Sequence, residues 1–278
     1  MLVNKNFMLL KQLQKTKKFI KNKIKTNPKI AVILGSGLSN IQNQLENSIS
    51  IPYGKIPYFK QSTVEGHNGQ LIFGKLNSTD IMLMSGRLHY YEGYTMQDIT
   101  YPIRLMKYLG IEYLIITCAV GALNKKYNVG DIVAIKDHIN FLGNPLIGKH
   151  YNQFGNRFPD SSNIYDKKLI QTAKQSSIKN KIKIHEGVYF AVTGPSYETP
   201  SEVKAFQKLG GDVVGMSLVP ESIIASQMNI KVLALTYVSN KAAGISSENL
   251  SHNEVLSLGK KASVCLEKII TAVIGKIQ

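Results

Sequence analysis

Six clusters of polar and small residues carry the chemistry of this chain of 278 residues, at 35–37, 85–92, 118–122, 194–198, 215–217 and 239–240. The densest is Ser85-Gly86-Arg87-Leu88-His89-Tyr90-Tyr91-Glu92-Gly93-Tyr94. Arg supplies a planar fork of donors suited to phosphate or carboxylate, and His adds a donor that titrates near neutral pH. Taken alone, the segment reads equally well as a surface turn with an Arg–Glu pair. Its company decides otherwise. Ser36, Arg87, His89 and Ser217, together with small-residue backbone, make an anion-binding kit. Tyr197, Glu198 and Asn240 make a second kit for a flat heterocycle: Glu and Asn read donor and acceptor edges while Tyr packs on the face.

Other chemistries find little support. His67, His89, His138 and His252 do not stand at metal-ligand spacing. No Gly-x-Ser-x-Gly or Cys–His signature marks covalent catalysis. Gly35-Ser36-Gly37-Leu38-Ser39-Asn40 lacks the third glycine of a dinucleotide fingerprint, so a nicotinamide enzyme is a remote alternative. Phosphate plus nucleobase, with neither metal nor nucleophile, points to phosphorolysis of a nucleoside.

The elements that position these clusters follow from apolar patterning. Strands are expected at Lys29–Leu34, Leu71–Leu76, Ile81–Met84, Tyr113–Thr117, Asp131–Lys136, Gly187–Val192, Asp212–Val214 and Ile230–Val238. Helical spacing appears over 7–24, Thr95–Leu109, 164–178, Ser201–Leu209, Val219–Met228 and from His252 to about Ile274. Phe141–Ser162 reads as a long loop, a length that often carries function. The alternation implies an α/β fold with a sheet covered on both faces, and every cluster falls at a strand end, where ligands of such sheets bind. No repeat or linker interrupts the chain, so a single domain over 1–278 is expected, with 1–28 as a basic helical segment packed on it.

Composition narrows the class further. The apolar fraction, 44%, supplies a full core, whereas the net charge of +16 raises nucleic-acid binding as an alternative of a different class. The lysines are scattered and no Arg-rich tract or RNP-like motif appears, so no dedicated nucleic-acid binding is expected. A basic field still recruits an anionic substrate. Cys118 and Cys265 stand far apart in apolar contexts, consistent with a reducing compartment. Tyr113–Leu123 is too short to span a bilayer and Phe7–Leu10 too short for a signal-peptide core, so a cytoplasmic protein without membrane contact is expected.

Gly35-Ser36-Gly37-Leu38, Gly66-His67-Asn68-Gly69, Gly86–Tyr94, Gly194-Pro195-Ser196-Tyr197-Glu198-Thr199, Gly215-Met216-Ser217 and Ser239-Asn240 together resemble the trimeric, low-molecular-mass purine nucleoside phosphorylases. The motifs run in the family's order from about Ile30 to the C-terminus. The resemblance implies a phosphorylase/hydrolase-like fold with a mixed central sheet flanked by helices. It implies a purine-salvage enzyme that converts inosine, guanosine or their deoxy forms, with inorganic phosphate as co-substrate and no cofactor. Phosphate would sit among Ser36, His67, Arg87, His89, the Ala119 backbone and Ser217, with Glu92 orienting His89. Tyr91, Met216 and His252 would hold the ribose, and Tyr197, Glu198 and Asn240 the base. His89, Glu92, Asn240 and His252 form the implied catalytic set. A homotrimer is implied, with Phe158 completing the neighbouring subunit's ribose site.

Cys118 stands where many relatives carry Asn, Ala122 where they carry Gly, and Tyr197 replaces a commoner Phe. Methylthioadenosine phosphorylase is the alternative within the family. Such enzymes tend to carry Asp at the position of Asn240. Asn donates to a 6-oxo group where Asp accepts from a 6-amino group, so the residues favour inosine and guanosine.

Overall fold

The computed structural model describes residues 3–35, 40–63, 69–245 and 252–277, with side chains described except at 3–7 and 252–261. A nine-stranded mixed sheet runs in the order β2-β3-β4-β1-β5-β8-β7-β6-β9. Its strands are β1 Ile30–Leu34, β2 Glu46–Pro52, β3 Gln70–Leu76, β4 Thr79–Ser85, β5 Tyr113–Ala122, β6 Ile132–Asn140, β7 Ile184–Ala191, β8 Val213–Gly215 and β9 Lys231–Lys241. An additional β5–β9 pairing bends the second half back on itself, so β5, β8, β7, β6 and β9 close into a ring. The other four strands form a wing continuing from β1.

Patterning explains the core of this sheet. β1 is buried at every position and pairs in parallel with both β4 and β5, the signature of a central strand covered on both faces. Helices α1 Val3–Lys21, α2 Met96–Leu109, α3 Lys167–Lys179, α4 Pro200–Lys208, α5 Val219–Gln227 and α6 His252–Ile274 cover it. Thr95 with Asp98 and Thr199 with Glu202 form capping boxes that start α2 and α4. α1 lays Leu13 and Ile20 into the core and joins α2 through Thr16 Oγ1 and Tyr101 Oη, 2.7 Å apart. No helix among the described residues is long and apolar enough to cross a membrane.

Several boundaries differ from the expectation, each for a tertiary reason. β2 is an edge strand in which Ile49 and Ile51 alternate with serines and Ile51 alone is buried, a pattern too short to announce the strand in the sequence. β5 runs through Cys118–Ala122, and β9 through Ser239–Asn240, where strand exits were expected. Their mutual pairing carries both past the apolar stretch. α1 stops at Lys21, and Ile24 packs into the core from the coil beyond.

Candidate active site

The cavity lies where β5 changes partners. β5 pairs with β1 only as far as Ile116 and meets β8 first at Gly121, so 117–120 border open space on that edge. Gly35, at the exit of β1, is pressed against this segment. A Cβ there would lie 2.7 Å from the Thr117 carbonyl oxygen and 2.8 Å from Cys118 Cα, so only glycine fits. Of the residues expected in the site, Arg87, His89, Tyr91, Ala119, Tyr197, Glu198, Met216, Ser217 and Asn240 all line this one cavity.

At one end stands Arg87, 1% exposed. Its Nη2 donates to the carbonyl of Thr117, and its Nη1 lies 3.4 Å from Oε1 of Glu221. The turn that delivers it is pinned by Tyr53, whose Oη donates to the Gly86 carbonyl over 2.7 Å. His89 is oriented from two sides. Its backbone N–H donates to Glu92 Oε1 at 2.7 Å and its Nδ1 lies 3.1 Å from the same oxygen, while Tyr91 stacks on the ring at 4.8 Å. Because a carboxylate only accepts, a hydrogen bond between these two atoms requires a proton on Nδ1.

The other Glu92 oxygen, Oε2, accepts from the Thr63 N–H at 2.6 Å, the Thr63 hydroxyl at 2.9 Å and the Ser62 hydroxyl at 3.2 Å. Burial pushes the Glu92 carboxyl up, but the bonds from His89 and Thr63 outweigh it and bring the pKa down to about 2. Glu92 therefore remains a carboxylate at neutral pH.

Ser217 follows β8. Its backbone N–H donates to the Tyr189 hydroxyl at 3.2 Å, and a Cβ on Gly215 would meet that hydroxyl at 2.2 Å. Leu218, fully buried, turns the chain at φ 70° into α5, a strained conformation held by its surroundings. The Cys118 thiol shares hydrogen bonds with Ser217 and Tyr189, and burial pushes it up to about 11. It is a neutral packing group rather than a nucleophile at ordinary pH.

At the other end, Tyr197 and Glu198 arrive on the loop after β7, and Asn240 near the end of β9. Burial first, and then Glu202, raises the Glu198 carboxyl above its usual range. The Asn240 amide is held by its neighbours: Oδ1 accepts from the Ser239 hydroxyl at 2.6 Å, and Nδ2 donates to the Lys241 carbonyl at 3.3 Å. Tyr91 lies between the two ends. Burial, followed by the nearby Glu92 charge, moves its hydroxyl up to about 12, so it stays protonated.

The remaining expected residues stand differently. Ser36 and His67 lie outside the described residues, although Gly35 lines the cavity directly before Ser36. His252 opens α6, and its side chain lies outside the described residues. Phe158 is 88% exposed on the loop after β6 and does not line the cavity of its own chain. Glu221, Tyr189, Tyr53 and the Ser62–Thr63 pair were not anticipated. The one legible signal was Glu221, an acid opening the otherwise apolar turn Val219-Pro220-Glu221.

The phosphorylase superfamily model matches residues 29–275. Purine nucleoside phosphorylase 1 of Bacillus subtilis (strain 168) is 46% identical over 268 residues, covering 96% of this chain and 99% of its own. A Schistosoma purine nucleoside phosphorylase solved with hypoxanthine superposes with a TM-score of 0.91 at 38% identity, covering 96% of this chain and 98% of its own. A Schistosoma purine nucleoside phosphorylase solved with guanosine gives 0.90 at 37% identity, covering 96% and 97%. With its fold and nearly its whole length shared with these proteins, the chain belongs to the phosphorylase superfamily, among the purine nucleoside phosphorylases.

Proposed function

We propose that this enzyme carries out reversible phosphorolysis of 6-oxopurine nucleosides and deoxynucleosides, such as inosine and guanosine, yielding free purine and (deoxy)ribose 1-phosphate. One observation carries the reading: Arg87, His89 and Ser217 share a single cavity with Tyr197, Glu198 and Asn240. An oxyanion held by the first group attacks C1′ of a ribose whose base is held by the second. The phosphate O–C1′ bond forms as C1′–N9 breaks, and the bonding pair leaves on the purine, which takes up a proton from water at N7.

Each residue's part follows from charge development. The breaking bond leaves cationic character on the ribose, which the phosphate dianion stabilises. Asn240 hydrogen-bonds N7 and O6 of the departing base, and Glu198, as a carboxylate, accepts from N1–H. Tyr197 packs on the base, and Tyr91 and Met216 lie along the ribose. His89, oriented by Glu92, contacts phosphate beside Arg87, the Ala119 backbone and Ser217. Ser36 and His67 complete the phosphate set and His252 the ribose set in this proposal. Holding phosphate against C1′ removes most of the entropy cost of a bimolecular step. The exposed ring of Phe158 suits a homotrimer in which it closes the neighbouring subunit's ribose site. A cytoplasmic purine-salvage role, without cofactor, accords with this reading.

Initial rates on inosine, guanosine, adenosine and methylthioadenosine, each with and without phosphate, test the proposal. Turnover of the 6-oxo nucleosides that depends on phosphate is expected. Turnover chiefly of methylthioadenosine would overturn the base assignment, and the absence of phosphate dependence would overturn the reaction.

A further inference from the structure

We infer that Glu221 is a positioning residue for the phosphate subsite, fixing the guanidinium plane of Arg87 from behind without touching substrate. The inference rests on Arg87 being a phosphate ligand, as proposed above. A guanidinium recognises a tetrahedral oxyanion in pairs of parallel N–H bonds, which makes the orientation of its plane decisive. Four rotatable bonds leave that plane undetermined unless something anchors it.

Two anchors come from separate elements. The β5 carbonyl of Thr117 accepts from Nη2, and Glu221, in the first turn of α5, presents Oε1 to Nη1 at 3.4 Å. The residues lie 134 positions apart, and their side chains are 2% and 3% exposed. Two contacts on different nitrogens fix a plane where one would leave it free to swing.

Glu221 neutralises a buried guanidinium, yet folding alone does not require an ion pair at this place. Among the described residues Glu221 Oε2 is buried without a hydrogen-bond partner, a cost that a pair kept for folding alone would not carry. Buried ion pairs are often replaced, both partners together, by apolar residues at no loss of stability. The surrounding α5 residues Val219, Ile223, Ile224 and Ala225 are buried and apolar, an environment in which such a replacement would pack. Among them Glu221 stands on the one helix that begins directly behind Ser217, so the same turn sets two groups of the phosphate subsite.

Glu221→Asp, Glu221→Gln and Arg87→Met separate reach, charge and the parent reading, with KM for phosphate and KM for inosine measured independently. Asp withdraws the carboxylate by roughly 1.5 Å, about one backbone C–C bond length, whereas Gln keeps reach and an acceptor oxygen. Expected are a rise of about tenfold in phosphate KM for Glu221→Asp, a rise below about threefold for Glu221→Gln, and inosine KM within about twofold of the parent in both. Thermal unfolding establishes that each variant is folded. The inference is overturned if Glu221→Asp leaves phosphate KM unchanged, if both KM values move together, or if Gln is worse than Asp, which would make charge rather than position the essential property. If Arg87→Met leaves phosphate KM unchanged, the assignment of Arg87 itself fails and takes the inference with it. If only the Arg87 variant responds, the assignment stands and the role of Glu221 falls.

Discussion

The Ser239 hydroxyl donates to Oδ1 of Asn240 over 2.6 Å, so the residue preceding the base-reading amide determines which way that amide faces. The Val120 carbonyl, 3.1 Å from the same hydroxyl, is a second and more distant acceptor for its single hydrogen. Ser239→Ala is expected to lower kcat/KM for inosine by about fivefold through loss of one hydrogen bond. Steady-state rates on inosine check this, and an unchanged value would show that Asn240 orients itself.

Glu198 sets stability against specificity. Its carboxyl is raised by burial, so the folded protein bears a penalty wherever Glu198 is ionised, above the raised folded value, and none below the unfolded value. Glu198→Gln is therefore expected to raise the thermal midpoint at neutral pH while lowering kcat/KM for guanosine by about a hundredfold. In the parent, guanosine binding should weaken as pH falls through the raised value. Calorimetry and a pH series of KM test the two halves separately.

Glu92 has the opposite sign. Its pKa falls from the ordinary carboxylate value of 4.5 to about 2, so it contributes stability above the unfolded value that is lost as pH drops from about 4.5 towards 2. Glu92→Gln should flatten acid unfolding across that window. It should also raise phosphate KM, because His89 loses its carboxylate partner. An acid-denaturation curve identical to the parent's would count against the bonds from Thr63 and His89 as the cause.

Tyr189→Phe removes the acceptor of the Ser217 N–H inside the protein. The Ser217 residue is half-buried beside the cavity, where water can replace the lost acceptor, so the cost is about 1 kcal/mol or less. A loss of stability in that range is expected, accompanied by a higher phosphate KM. Denaturant unfolding and phosphate titration measure both.

Gly35→Ala tests the close approach of β1 to β5. With Thr117 O at 2.7 Å from the new Cβ, the strands must part, and a loss of about 1–3 kcal/mol is expected for such overpacking. Because the displaced backbone borders the cavity, kcat should fall with stability. A stable and fully active variant would show that the segment shifts without cost.

What the chain determined by itself is local. Apolar runs identify eight of the nine strands, because a buried strand is readable from its own residues. The capping boxes at Thr95 and Thr199 start their helices through contacts three residues apart. The polar clusters after the strands were legible for the same reason: His89 and Glu92 lie within one turn and constrain each other directly. The family's motifs drew in Tyr91, Met216 and Ala119, which composition alone left unmarked.

Tertiary structure decided whatever depends on partners distant in sequence. β2 exists because β3 offers it an edge, and β5 and β9 outrun their apolar cores because they pair with each other. The cavity itself is the gap left when β5 exchanges β1 for β8, a property of register that no single segment encodes. The Arg87–Glu221 pair belongs to the same class: neither residue signals the other across 134 positions, and only the packing of α5 against α2 and β9 brings the two charges together. Hydrogen bonds between neighbours are set by the residues making them, whereas long-range pairs are set by the geometry of everything between.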